Sequence, residues 1–261
     1  DNEIRAHVPM IYYHVWDNYP APVFNKGFYE SNDVVACISK VTHAIVNEVT
    51  DKAETLYLPH AVDSKVFKPM PQEAIDNLKE HHGLKDKFVF FWNNRNARRK
   101  QSGTLIYWFK KFCDKVGKDK CVLIMHTDPN DPYGQPLDHL MQHFGANEGQ
   151  VRISREKVGP EELSAMYNIS DCTINISDAE GFGLATLESL SCGTPIIATM
   201  TGGLQEQVTD GENWFGVGIE PASKALIGSQ QVPYIFEDRI SEKDFIDACE
   251  KMYNMKKEDL K

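Results

Sequence analysis

Residues 169–199 read ISDCTINISDAEGFGLATLESLSCGTPIIAT, and this stretch decides the fold. CTINIS (172–177) is an apolar-rich run of strand length, DAEGFG is a turn, and Leu184 to Cys192 keeps helical spacing. Gly193 stops that helix and Pro195 opens a second apolar strand, PIIAT (195–199). Strand, turn, helix and strand in this order make a βαβ unit. Strands apolar on both faces belong in a parallel sheet covered by helices.

The same alternation runs outward through the chain. Upstream, strands are expected at 8–16, 33–39, 54–62, 88–92, 121–127 and 151–154, with helices at 40–49, 72–82, 102–115, 137–144 and 160–170. Downstream, a short helix at 204–209 closes the regular pattern. Three prolines and a restart of the βα rhythm mark 59–71 as the boundary between two modules. Residues 1–62 hold about two βα units, fewer than a doubly wound domain of about 100 residues needs. The chain is therefore expected to be a fragment: residues 1–66 as the end of one Rossmann-like domain, 67–261 as a second.

Composition narrows the function. The 261 residues are 41% hydrophobic, too apolar for a disordered chain, and contain no apolar run long enough to span a bilayer. Thirty-eight acids against 28 bases give a net charge of −10, which disfavours nucleic acid as a general partner. Any anionic ligand must then be met by a local cluster of bases. Six scattered Cys without a metal-like spacing point to reduced, packed thiols and a cytoplasmic setting. His81, His82, His126, His139 and His143 share no ligand spacing, and the Asp/Pro-rich loop 127–136 suits a surface turn. Trp92 and Trp108 suit packing.

Two constellations carry chemistry. In DAEGFG, Gly181 and Gly183 let backbone approach a ligand, and the helix beyond presents free N–H groups. Glu180 and Glu188 flank this turn. In FVFFWNNRNARRKQSG (88–103), bases cluster beyond a strand end, on the rim that also carries Glu180. Arg95 leaves the strand and Lys100 opens the next helix, so both are expected to clamp a diphosphate from one side. Arg98 and Arg99 are expected in solvent. No D-x-D pair is present, so the expectation is a metal-free site in which cations neutralise the phosphates.

At this point the residues resemble the retaining glycosyltransferases of family 4, which have the GT-B fold. EGFGLATLE (180–188) is similar to their donor-site signature, and Arg95 and Lys100 keep the spacing of their G-R-x-x-x-x-K-G loop, with Asn94 in place of the Gly. PHAVDSKVFKP (59–69) resembles their interdomain crossover, MIYYHVWDNYP (10–20) the strand ending in H-D, and DVVACISKVT (33–42) the stretch that follows. The resemblance implies an α/β, GT-B-type fold of Rossmann-like doubly wound sheets with the N-terminal domain incomplete. It also implies transfer of a sugar, with retention, from a nucleotide-diphosphate sugar, UDP- or GDP-linked, to a polysaccharide, lipid or other glycan.

The resemblance further implies roles. Glu188 would bind the donor ribose, Glu180 the transferred sugar, and Arg95 and Lys100 the diphosphate. Phe182, Gly183, Leu184 and Ala185 would line the donor site with backbone, and His14 would approach the sugar from the N-terminal module. Arg155 to Val158 falls where the base is often met. No cofactor besides the donor is implied, and peripheral membrane contact would come through residues before position 1. A sugar-nucleotide epimerase of the same fold, or a non-catalytic nucleotide-binding fragment, are the alternatives.

Overall fold

The computed structural model describes residues 2–255. It opens with helix α1 (Asn2–Arg5), strand β1 (Ile11–His14), helix α2 (Lys26–Glu30), strand β2 (Val34–Cys37), helix α3 (Lys40–Val49) and strand β3 (Glu54–Tyr57). β1, β2 and β3 form a parallel sheet in that order. Ser39 starts α3 by accepting the Thr42 N–H at 3.1 Å. Ile45, Val46 and Val49 on α3 then pack with Val35, Cys37 and Tyr29.

After the irregular connection 58–71 a larger layer follows. It comprises α4 (Gln72–His81), β4 (Phe88–Asn93), α5 (Ser102–Val116), β5 (Cys121–His126), α6 (Leu137–Phe144), β6 (Val151–Ser154), α7 (Pro160–Asn168), β7 (Cys172–Asn175), α8 (Leu184–Ser191), β8 (Ile196–Thr199), α9 (Gln205–Val208) and β9 (Gly216–Ile219). The six strands run parallel in the order β6-β5-β4-β7-β8-β9. This is the doubly wound arrangement that the alternating sequence pattern predicts, with helices on both faces. β4 and β7 are the central pair, in register at Phe90 with Cys172. Phe90 and Trp92 of β4 meet Phe109 and Phe112 of α5, all fully buried. Each such side chain contributes on the order of 2 kcal/mol through removal from water.

Beyond β9 the chain departs from the βα rhythm. An antiparallel hairpin, β10 (Ser223–Ile227) and β11 (Ile235–Arg239), precedes α10 (Glu242–Asn254). The hairpin reaches the small sheet: the Phe236 N–H donates to Tyr19 O at 2.6 Å, and Asn18 Nδ2 donates to Phe236 O at 2.8 Å. A second tie is Glu206, whose carboxylate accepts the Lys40 N–H at 2.8 Å and the Tyr57 hydroxyl at 3.0 Å. These contacts tie the small sheet to the larger layer and the hairpin.

Candidate functional site

The strand order reverses between β4 and β7: β5 lies beyond β4 and β8 beyond β7. In open α/β sheets ligands bind outside the carboxyl ends of the strands at this switch point. A cavity of about 450 Å³ opens there. Asn93 and Asn94 enter it from the end of β4, with Arg99 and Lys100 from the loop that follows. Asn175 comes from the end of β7, Glu180 to Gly183 from the turn, and Leu184, Ala185 and Glu188 from α8. The opposite wall belongs to the small sheet and the connection: Val15, Asp17, Ile38 and His60.

The turn is held by close backbone packing. Gly183 has φ +91°, and a Cβ there would stand 2.7 Å from Leu204 Cδ2. A Cβ on Gly203 would stand 2.5 Å from Gly181 O. Gln207 on α9 donates to Phe182 O at 2.5 Å and accepts the Thr186 hydroxyl at 2.6 Å. The first N–H groups of α8, at Leu184 and Ala185, have no acceptor within the helix and border the cavity.

The charges are nearly balanced. Arg99 and Lys100 face Asp17, Glu180 and Glu188. Lys100 is buried and ion-paired with Glu180; burial pulls its pKa down, and the Glu180 charge opposes that. Arg99 donates to Ala179 O. Burial pushes Asp17 up to about 6, against the attraction of Arg99. Burial also raises Glu188, which the Tyr167 hydroxyl opposes by donating to its Oε2 at 2.7 Å. The Nδ2 groups of Asn94 and Asn175 are buried without a partner among the described residues. Buried donors left open at a cavity wall call for an acceptor.

The structure brings Glu180, Lys100, Phe182, Gly183, Leu184, Ala185 and Glu188 together as the sequence implied, and moves two others. Arg95 is not on the wall. Its Nε donates to Asp131 Oδ2 at 2.6 Å, its guanidinium lies 4.8 Å from the Tyr133 ring centroid, and the side chain is 57% exposed. The single 3-10 turn Arg98–Lys100, closed by Gln101 at φ +57°, buries Lys100 and leaves Arg99 exposed at the cavity rim. Arg98 is 60% exposed, as expected, and pairs there with Glu237 of the hairpin at 2.5 Å; Arg239 joins the same Glu237 and Asp178. His14 is also displaced. It is buried behind the wall with Nε2 2.8 Å from the Tyr29 hydroxyl, and burial holds its pKa down at about 4. Val15 and Asp17, just beyond the end of β1, reach the cavity in its place.

Arg155 pairs with Asp138 at 2.6 Å and takes no part in the wall. Among the described residues no group of three or more His, Cys, Asp or Glu side chains is arranged to hold a metal ion. Sequence reasoning missed Asn93, Asn94, Arg99, Asn175, Asp17 and His60. Asn93 and Asn175 were findable as polar breaks ending apolar strands, whereas Asp17 and His60 lay inside quoted motifs but come to the wall from the small-sheet side, which spacing alone does not show.

Residues 74–252 match the family described as Glycosyl transferases group 1. The chain belongs to this family. Among curated relatives, a GDP-mannose-dependent alpha-(1-6)-phosphatidylinositol monomannoside mannosyltransferase of Mycolicibacterium smegmatis is 29% identical over 69% of this chain and 47% of its own. A D-inositol 3-phosphate glycosyltransferase of Corynebacterium jeikeium is 46% identical over 60% of this chain and 38% of its own. Among solved structures, a sucrose-phosphate synthase of Thermosynechococcus elongatus superposes with a TM-score of 0.71, 19% identity, and coverage of 96% of this chain and 60% of that one. Anabaena HepE, solved with UDP-glucose, gives 0.66 and 19%, covering 85% and 61%. The fold is thus the GT-B type, and the group 1 chain spans less than half the length of these two curated relatives.

Proposed function

We propose that this chain forms the donor site of a family 4, retaining, metal-independent glycosyltransferase, with residues 1–66 on the acceptor side and 67–261 on the donor side. The observation that carries the reading is the convergence of Glu180, Glu188, Lys100 and the Gly-Phe-Gly turn on one cavity at the strand-order switch. Glu188 takes the ribose and Glu180 the transferred sugar. Lys100, Arg99 and the N-terminus of α8 take the diphosphate, Arg99 standing where the spacing had put Arg95. His14 supports the wall from behind and stays neutral near pH 7.

In the reaction the bond from the sugar C1 to the phosphate oxygen breaks and the acceptor oxygen bonds to C1 on the same face. The acceptor proton passes to the leaving diphosphate, whose charge Lys100, Arg99 and backbone N–H groups stabilise. The relatives' names speak of UDP-glucose and GDP-mannose chemistry, so both nucleotides are first choices as donor. The same names make a polyol phosphate or glycolipid hydroxyl the acceptor class to test first.

The test is calorimetric titration of UDP and GDP with chelator present, followed by product analysis from labelled donor sugars. We expect chelator-insensitive binding and an α-configured product from an α-linked donor. A strict divalent-metal requirement would remove the metal-free clamp, an inverted product would remove retention, and an epimerised free donor would point to the epimerase instead. Failure of both nucleotides to bind would leave no donor site.

A further inference from the structure

Glu188 is held from behind by a residue that never reaches the cavity. Tyr167, on α7, is fully buried with its ring centroid 5.1 Å from that of Phe91 and 6.2 Å from that of Phe67. Its hydroxyl donates to Glu188 Oε2 at 2.7 Å and accepts from Asn93 Nδ2 at 2.9 Å. The ends of β4, α7 and α8 are thereby joined through one phenolic oxygen. Glu188 Oε1 has no protein hydrogen bond among the described residues, and Glu188 lines the cavity.

A free glutamate samples several rotamers, and ordering it for a ligand carries an entropic cost. Here one carboxylate oxygen is already engaged, which fixes the rotation of the group and leaves the other aimed outward. The hydroxyl bond also favours the charged carboxylate in a place where burial opposes it. None of the ring contacts needs the hydroxyl, so its role is separable from packing. Desolvated acceptors of this kind discriminate strongly, because a ligand lacking the matching hydroxyl leaves the charge unpaired.

We propose that Tyr167 is a positioning residue that turns Glu188 into a selective acceptor for the adjacent hydroxyls of a ribose. The proposal rests on the reading of Glu188 as the ribose contact. It concerns discrimination between nucleotides that carry both hydroxyls and those that lack them, rather than overall affinity.

The experiment compares the whole chain with its Tyr167→Phe variant, titrated with UDP and 2′,3′-dideoxy-UDP, or with the GDP pair if guanine binds better. The wild-type chain is expected to prefer the ribonucleotide by about tenfold or more, the range for hydrogen bonds to a charged group. In Tyr167→Phe that preference should shrink to about two- to threefold, while the dideoxy nucleotide binds as it does to the wild type. Retention of the full preference by the variant overturns the role of Tyr167. An equal loss for both nucleotides overturns it as well, since that is the mark of a general structural defect. If the wild type itself shows no preference, the ribose reading of Glu188 falls first and takes the proposal with it. Thermal unfolding of both proteins confirms that the comparison is between folded chains.

Discussion

At the residue scale, the loop after β4 decides which base meets a ligand. Arg95 is held outside by Asp131 and Tyr133, while Arg99 and Lys100 line the cavity. Arg99→Ala should therefore weaken UDP or GDP by about tenfold, the loss expected for a charge-assisted contact. Arg95→Ala should change affinity less than about twofold, as for an exposed ion pair. Calorimetry on both variants decides the matter; a larger effect at Arg95 would mean that its pair with Asp131 opens when the nucleotide binds. The sequence showed that a base cluster sits at the strand end. It could not show which base points inward, because that depends on a positive φ at Gln101, a residue without the usual glycine signal. His14 was misplaced for a related reason: a motif supplies position along the chain, whereas the face is set by the strand's register.

At the element scale, regular structure was legible wherever apolar period and end signals agreed. Helices Lys40–Val49 and Leu137–Phe144 and strand Val151–Ser154 fall where the pattern predicts them. The region after 209 was not read. β9 is half glycine, and the β10–β11 hairpin depends on pairing with itself and on contact with the small sheet. α10 was legible in principle, since Phe245, Ala248, Cys249 and Met252 follow helical spacing behind the Ser241 cap. The turn carrying Glu180 was readable as glycine-rich, yet the reason for its shape lies in the segment that leads into α9. Gly203→Ala should drive a methyl into Gly181 O and Phe182 Cα, both backbone atoms with little room to move. Overpacking of this kind costs about 1–3 kcal/mol. The melting temperature should fall by several degrees, and nucleotide binding should weaken beyond what stability alone explains. An unchanged melting temperature would mean that this clamp yields easily.

At the scale of the whole molecule, the two sheets are joined by polar contacts at Glu206, Asn18 and Tyr19 and by the ring contacts Phe24–Tyr234 and His60–Phe182. Glu206 contributes two of them, and its carboxylate also sits at the N-terminus of α3, where negative charge is favoured. Glu206→Ala should therefore loosen the small sheet while leaving the large one intact. Limited proteolysis within the largely exposed connection 58–71 should speed up several-fold, with the main thermal transition little changed. Equal cleavage rates would show that the hairpin contacts at Asn18 and Tyr19 suffice.

The Lys100–Glu180 contact has a consequence for selectivity. Lys100 already has a counter-ion in Glu180, so an anion that takes Lys100 does so by exchange, and only the difference between two ion pairs is gained. Inorganic phosphate or sulfate offers nothing to the displaced carboxylate and profits little. On the proposed roles, a molecule with hydroxyls beside its diphosphate would satisfy the lysine and the released glutamate together. A neutralised charge of this kind should favour nucleotide sugars over common cellular anions, which competition of phosphate against UDP or GDP in the same titration would check.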